Sequence, residues 1–326
     1  MIAEKKGPIA HKVLIAIDGS AASLNAVRYA ATMLGLIPDL NFMLLFVMPA
    51  VPPYLLEDVT DKAKLAKIRQ FEQAGHALGE KVLSKGRERL LDLKVPSERI
   101  EVKNLRRLTV RARDILAEAE KGRYDALLVG RRGLTRAQEI FMGSVTHQLV
   151  QHATDVPLWI IDGRVTAPQV MVAVDGSENS LRAVDQVAFM LGSNPMAKVH
   201  FLHVVPKLQN VCPIDIELAV AELAVGQGDL EAIEEEFQRQ SLTSVDDFTG
   251  RATQILREAG FSPDRISTEV REVTLGIART ILKAAREGGY GTIVLGRRGM
   301  SRSPFLGSVS DRVIRRARGR AIWLVI

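Results

Sequence analysis

Two glycine-rich segments of the chain combine residue types that could bind phosphate. The first, "VGRRGLTRAQEIFMGSVT" (129–146), has the spacing G-x2-G-x9-G-S, and the second, "LGRRGMSRSPFLGSVS" (295–310), has seven residues in place of the nine. Glycine tolerates positive φ angles and lets backbone N–H groups approach a ligand closely. A serine that begins the following helix adds a hydroxyl and unpaired N–H groups at the positive end of the helix dipole, where phosphate binds. Paired arginines would either clamp the phosphate oxygens or fill the site.

A plain strand–loop–helix connection would use the same residues, so the glycine spacing alone does not establish a phosphate site. The segment recurs in both halves of the chain, each time together with an earlier DGS motif, at 18–20 and 175–177. This recurrence favours phosphate binding. Neither segment is a P-loop, because G-x4-G-K-[ST] does not occur, and neither carries the G-x-G-x-x-G fingerprint of dinucleotide-binding folds.

The motifs belong to a unit that occurs twice in the sequence. Residues 11–49 align without a gap with 168–206, and "GRYDALLVGRRG" (122–133) matches "GGYGTIVLGRRG" (288–299). In each unit, short apolar runs alternate with amphipathic stretches, for example a helical stretch at 61–93 and a strand "ISTEVRE" at 266–272. Such alternation predicts right-handed crossovers and a parallel sheet. We predict two doubly wound, Rossmann-like α/β domains, 9–162 and 168–326, each with a five-stranded, mainly parallel sheet and helices on both faces.

Composition and charge argue against several other classes of protein. The chain of 326 residues suits two domains, and its single cysteine, Cys212, cannot form an internal disulfide. No apolar run has the length of a membrane span, and no signal-like apolar stretch precedes the first strand. The net charge of +6 lies in scattered pairs and aromatic residues make up 5%, which disfavours nucleic-acid binding. We expect a cytoplasmic protein without a membrane partner.

The DGS motif after strand one, the glycine element after strand four and the two-unit length resemble the ATP-binding branch of the universal stress protein (UspA) family, in its tandem-domain form. The resemblance implies that a strand-one aspartate and a strand-two valine line the adenine or ribose. The glycine loop and serine would hold the phosphates of ATP, with or without Mg²⁺. By position, the first site comprises Asp18, Val47, Gly130, Arg131, Arg132, Gly133, Gly143, Ser144 and Val145.

The second repeat departs from this pattern, because its loop is two residues shorter and contains Pro304, which removes a backbone donor. We expect this repeat to bind ATP weakly, to bind a smaller ligand such as AMP, or to bind none. Its corresponding residues are Asp175, Val204, Gly296, Arg297, Arg298, Gly299, Gly307 and Ser308.

Three functions fit the sequence, and no catalytic constellation stands out. His200 and His203 are three apart on one strand, so they face opposite sides of the sheet. The favoured hypothesis is a stress-response regulatory protein that binds ATP or another adenine nucleotide, mainly in domain 1, and is at most a weak ATPase. The alternatives are an ATP hydrolase or nucleotide-transfer enzyme, and a nucleotide-free interaction protein.

The resemblance also predicts how the two domains associate. It implies that the closing strands, "VPLWIID" and "AIWLVI", pair within one chain as an intramolecular pseudo-dimer. A homodimer and an unidentified protein partner stay open.

Overall fold

The computed structural model describes residues 11–57, 61–132, 142–205, 227–273, 276–298 and 306–326. The chain divides into two compact units. The first comprises the residues up to Thr166 together with Arg318–Trp323, and the second comprises Ala167–Ala317 and Leu324–Ile326. Four residues of the sequence analysis, Cys212, Gly133, Gly299 and Pro304, lie outside the described residues.

The first repeat forms a parallel sheet with the strand order β3-β2-β1-β4-β5. Its central strands are apolar and buried on both faces, as expected of a sheet with helices on each side. The strands are β1 (His11–Ala16), β2 (Leu40–Val47), β3 (Ile100–Leu105), β4 (Ala126–Gly130) and β5 (Leu158–Ile161).

The helices of the first repeat form two layers, in which α1 packs against α3 and α4 packs against α5. A short helix that the sequence analysis did not predict, α2, follows β2 and begins at a proline. The helices are α1 (Ala21–Leu34), α2 (Pro53–Leu56), α3 (Lys62–Asp92), α4 (Arg111–Gly122) and α5 (Ser144–His152).

The second repeat has the same topology, with the strand order β10-β9-β6-β7-β8. Its strands are β6 (Gln169–Val174), β7 (Lys198–Val205), β8 (Ile266–Glu272), β9 (Thr292–Gly296) and β10 (Ala321–Val325). Its helices are α6 (Glu178–Leu191), α7 (Gln227–Glu258), α8 (Ile277–Glu287) and α9 (Ser308–Arg316). The predicted fold class, two repeated α/β domains with mainly parallel sheets, is confirmed. Within the described ranges, no helix has the length and apolar character that a membrane span requires.

The DGS motif turns the chain and starts a helix in both repeats. Gly19 and Gly176 adopt positive φ angles of 82° and 79°. The serine that follows caps the helix, because the backbone N–H of Ser23 donates to Ser20 Oγ at 3.2 Å. Ser177 makes the same contact in the second repeat. Each DGS motif therefore sets the start of a helix at the carboxyl end of its first strand.

Gly130, the last residue of β4, lies directly against the first turn of α1. A Cβ atom built on Gly130 would be 2.5 Å from the backbone carbon of Ala22 and 2.7 Å from the backbone nitrogen of Ser23. Backbone atoms of a capped helix cannot move aside as a flexible side chain would. The close approach of α1 and β4 therefore requires glycine at this position.

We predict that Gly130→Ala lowers the free energy of unfolding by about 3 kcal/mol, at the upper end of overpacking effects. Urea denaturation followed by circular dichroism measures the change. Gly75→Ala is the matched control, because its Cβ would meet Pro49 Cδ at 3.6 Å and Met48 side-chain atoms at 3.8 and 3.9 Å, all ordinary contacts. Alanine also favours the helix by up to about 1 kcal/mol. Equal midpoints for the two variants would contradict the prediction.

Candidate functional site

A cavity of about 270 Å³ opens at the carboxyl ends of β1, β2 and β4 in the first unit. This is the edge of a parallel sheet at which ligands bind in open α/β folds. The cavity also reaches the start of α5 and one side of α4. Of the residues predicted for the first site, those that line it are Asp18, Val47, Gly130, Arg132, Gly143, Ser144 and Val145.

Two hydrogen bonds join the end of β4 to the start of α5 at the base of the glycine loop. The backbone N–H of Gly143 donates to the carbonyl oxygen of Arg131 at 2.9 Å. The hydroxyl of Thr146 donates to the carbonyl oxygen of Gly130, also at 2.9 Å. Gly307 and Ser310 make the equivalent bonds in the second repeat, to Arg297 at 2.9 Å and to Gly296 at 2.8 Å. The two loops therefore have the same base, although they differ in length.

The N-terminus of α5 faces the cavity without a side-chain cap from the described residues. Its first intrahelical bond is the one that the N–H of His147 donates to Gly143, so the N–H groups of Ser144, Val145 and Thr146 precede the ladder. All three of these residues line the cavity, and the side chain of Ser144 is exposed. In the same unit, α1 is capped by Ser20. The start of α5 therefore has the geometry that suits an anion.

Two arginine side chains line the same cavity. Arg132 follows β4, and Arg111 begins α4. The Nε atom of each is buried and has no hydrogen-bond partner among the described residues. Arg132 also lies near Asp162, with 3.9 Å between its Nη2 and Oδ1 of that carboxylate. Two cations and a helix N-terminus that line one cavity make it suited to a phosphate group.

Arg131, the other arginine of the predicted pair, has a buried side chain away from the cavity lining. Its side chain is only 2% exposed and does not line the cavity. Burial lowers its pKa to about 10, so the guanidinium is still charged at neutral pH. The two adjacent arginines therefore occupy different environments, one inside the unit and one at the cavity.

Asp18 and an apolar surface form the other side of the cavity. Asp18 Oδ1 accepts a hydrogen bond from the backbone N–H of Ser20 at 3.0 Å, which fixes the carboxylate at the cavity wall. Val47, Leu78 and Ile115 supply apolar area. Within the described part of the chain, no group of three or more His, Cys, Asp or Glu residues could hold a metal ion.

The second unit surrounds its aspartate differently. Asp175 Oδ1 accepts hydrogen bonds from the hydroxyls of Ser177 and Ser180, at 2.5 and 2.6 Å, in addition to the backbone N–H of Ser177. Like Arg131, Arg297 is buried, and burial lowers its pKa. The other predicted residues that are described follow the pattern of the first repeat. Val204 lies in β7, Gly296 ends β9 and is followed closely by Arg298, and Gly307 precedes Ser308, the first residue of α9.

Arg111, Leu78 and Thr146 were not predicted as site residues. Arg111 and Leu78 come from helices that follow other strands, so only the fold brings them to the cavity. Thr146 had a signal in the sequence, because a hydroxyl recurs three residues after the last glycine of each loop, as Thr146 and Ser310.

Comparisons with known proteins agree with this architecture. The model of the "Universal stress protein family" matches residues 10–162 and again 167–319. The chain is similar to a universal stress protein from Archaeoglobus fulgidus DSM 4304, with 20% identity, a TM-score of 0.62 and coverage of 97% of this chain and 98% of that one. A functionally unknown protein from Pseudomonas aeruginosa PAO1 has 13% identity, a TM-score of 0.53 and coverage of 97% and 92%.

A universal stress protein solved in complex with cAMP matches 48% of this chain and 95% of its own, with 20% identity and a TM-score of 0.31. No curated protein matches the sequence.

We predict that Thr146→Val lowers the free energy of unfolding by about 1–2 kcal/mol, because it leaves the buried carbonyl of Gly130 without its hydroxyl donor. Valine keeps the side-chain shape, so packing changes little. Ser144→Ala, which removes an exposed hydroxyl two residues earlier, should change stability by less than about 0.5 kcal/mol. Urea denaturation of both variants tests this expectation, and a Thr146→Val midpoint equal to that of Ser144→Ala would refute it.

Proposed function

Because the chain belongs to the universal stress protein family, we propose that it is a stress-response regulatory protein whose first unit binds an adenine nucleotide, with ATP as the expected ligand. The observation that carries this proposal is the joint position of a helix N-terminus without a side-chain cap from the described residues and two arginine side chains on one cavity wall. A neutral ligand could not form charge-assisted hydrogen bonds with these groups, whereas a phosphate could.

The phosphates are assigned to the β4–α5 end of the cavity. Ser144, Val145 and Arg132 line this end, and Arg111 lines the same cavity from the start of α4. Gly143, which also lines the cavity, has no side chain that would hinder a ligand close to the backbone. The paired arginine motif contributes one direct contact in this proposal, through Arg132, while the side chain of Arg131 is buried inside the unit.

The base and ribose are assigned to the β1–β2 end. Val47, Leu78 and Ile115 offer an apolar surface for the faces of the purine, and the Asp18 carboxylate could accept hydrogen bonds from ribose hydroxyls. Asp18 is the only carboxylate that lines the cavity among the described residues. If Mg²⁺ accompanies the nucleotide, it would therefore take most of its oxygen ligands from phosphates and water.

The second unit is proposed to bind nucleotide more weakly. Its Asp175 already accepts two serine hydroxyls, so a ribose would have to compete with them. Its loop is also two residues shorter than that of the first repeat. The pairing of the two closing strands within one chain and the identity of a protein partner stay predictions.

We expect Mg-ATP to bind at one site per chain, and we expect Arg111→Leu and Arg132→Leu each to raise the Kd about tenfold, since each removes a charge-assisted contact. Isothermal titration calorimetry measures the Kd, and chromatography of nucleotides released from denatured protein measures what co-purifies. Arg113→Leu, an exposed arginine on the same helix as Arg111, and Arg298→Leu in the second unit are matched controls that should bind as the parent protein does.

Other results would support the competing functions. If the protein does not bind millimolar ATP and contains no nucleotide after purification, the hypothesis of a nucleotide-free interaction protein is favoured. Release of phosphate well above background, abolished by Arg132→Leu, would indicate an ATP hydrolase. Equal losses of affinity in Arg113→Leu and Arg111→Leu would show that the arginines act through overall charge, and that the phosphate position is assigned wrongly.

A further inference from the structure

A second group of reactive side chains lies in the second unit, on β7 and its neighbour β8. His200 is the third residue of β7, and Ser267 is its direct partner in the parallel register. Glu269 and Arg271 follow Ser267 at every second position of β8, so all three side chains project from the same face of the strand. His200 and Ser267 lie near the amino ends of their strands, whereas the predicted second site lies at the carboxyl ends, where Arg271 pairs with Val204.

The His200 ring is held between a hydroxyl and a carboxylate. Its Nδ1 atom lies 2.8 Å from Ser267 Oγ, and its Nε2 atom lies 3.3 Å from Glu269 Oε2. The ring stacks on Tyr290, with 4.9 Å between the centroids and 17° between the planes. Both ring nitrogens and one ring face are therefore engaged, which fixes the orientation of the imidazole.

The charges around the ring determine which nitrogen carries the proton. Arg271, which donates to Glu269 at 2.5 Å, lowers the pKa of that carboxyl, so Glu269 is ionised at neutral pH. Burial lowers the pKa of His200, so its ring is neutral there. A carboxylate only accepts hydrogen bonds, and Nε2 must therefore carry the ring proton. Nδ1 is then the acceptor, and Ser267 donates its hydroxyl proton to it.

The base and the nucleophile differ in their exposure to solvent. His200 is 8% exposed, whereas Ser267 is an exposed residue of β8. A reagent from solvent can therefore reach the hydroxyl, while the imidazole that polarises it is shielded from water. A nucleophile within hydrogen-bond reach of a base, with the base oriented by a third group, is the arrangement that activates serine in covalent catalysis.

The first unit shows that the fold does not require this cluster. The same parallel register pairs Met43 with Glu101 and Leu45 with Lys103 in the first repeat, where the second repeat pairs His200 with Ser267 and Leu202 with Glu269. A methionine, a glutamate and a lysine thus occupy the three aligned positions. One copy of the duplicated unit carries the hydroxyl–imidazole–carboxylate chain, and the other folds without it.

We propose that Ser267 is a nucleophile that accepts acyl groups from activated esters, with His200 as its base and Glu269 as the residue that positions the imidazole. Ser267 Oγ attacks the carbonyl carbon of the ester and forms a new C–O bond, while its proton passes to His200 Nδ1. The bond between the carbonyl carbon and the leaving alkoxide breaks, and the leaving group departs as the anion or takes the proton from His200. The product is an acyl ester on Ser267.

The experiment treats the full chain with p-nitrophenyl acetate at pH 8 and follows acetyl transfer by intact mass and by peptide mapping. We expect one acetyl group per chain, on Ser267, and none there in Ser267→Ala. His200→Met, which installs the residue found at the aligned position of the first unit, should slow acetylation about a hundredfold, the lower end of what a general base contributes. Ser84→Ala is the control, because Ser84 is an exposed serine that donates to the Glu88 carboxylate without a histidine.

The pH dependence of the acetylation rate distinguishes a positioning role of Glu269 from a merely structural one. The ring of His200 faces Glu269, Arg271 and Tyr290. The acetylation rate should fall as the pH drops through the pKa of His200, which lies below its ordinary value of 6.5. Glu269→Gln removes the charge that favours the protonated ring, so the midpoint should move to lower pH and the rate at pH 8 should fall severalfold.

Three results would overturn the proposal: an acetyl group that maps to residues other than Ser267, an unchanged rate in His200→Met, or an unchanged pH midpoint in Glu269→Gln. Far-UV circular dichroism confirms that each variant is folded before its rate is interpreted.

Discussion

The candidate site depends on one constraint, the close junction between the end of β4 and the start of α5. The bonds from Gly143 to the Arg131 carbonyl and from Thr146 to the Gly130 carbonyl hold the two elements together below the glycine loop. On the other side of the strand, the first turn of α1 packs so closely on Gly130 that no Cβ fits. Because β4 is held from both sides, the N-terminus of α5 and the DGS turn are brought to one cavity. These described parts of the site are held by protein contacts alone, which lowers the cost of ordering them on binding.

The same junction explains why two adjacent arginines have different surroundings. Arg131 continues directly from β4, and its backbone N–H still donates to Ile161 at the end of β5. Its side chain is buried, and desolvation lowers its pKa. Arg132 lies one residue further, where the chain leaves the sheet, and its side chain reaches the cavity. A paired motif in the sequence therefore provides one internal cation and one cation at the site, and the equivalent Arg297 is buried in the second repeat as well.

The sequence predicted most of the fold, because the repeat, the apolar runs and the capping residues are local signals. The helix expected over 61–93 is found at Lys62–Asp92, and the strand "ISTEVRE" is β8. The cavity was only partly predictable. Asp18, Gly143 and Ser144 belong to motifs with recognisable spacing, whereas Arg111 and Leu78 reach the cavity through crossovers that no local pattern describes. The partners of His200 were missed for the same reason, since Ser267 and Glu269 are far away in the chain and only strand pairing places them beside the ring.

A comparison of the two repeats distinguishes the contacts that the fold requires from the positions at which side chains can vary. Both repeats keep the capped DGS turn and the closed loop base. These contacts involve backbone groups and short hydroxyl side chains, so they constrain few of the positions on the sheet. Strand positions outside these contacts differ between the repeats. Met43 of the first repeat aligns with His200 of the second, and Glu101 aligns with Ser267. Because parallel strands present two separate ends, the second repeat can carry the His200–Ser267 pair near the amino ends of β7 and β8 while it keeps the DGS turn and the loop base at the carboxyl ends. The two repeats can therefore specialise in different chemistry while they fold by the same contacts.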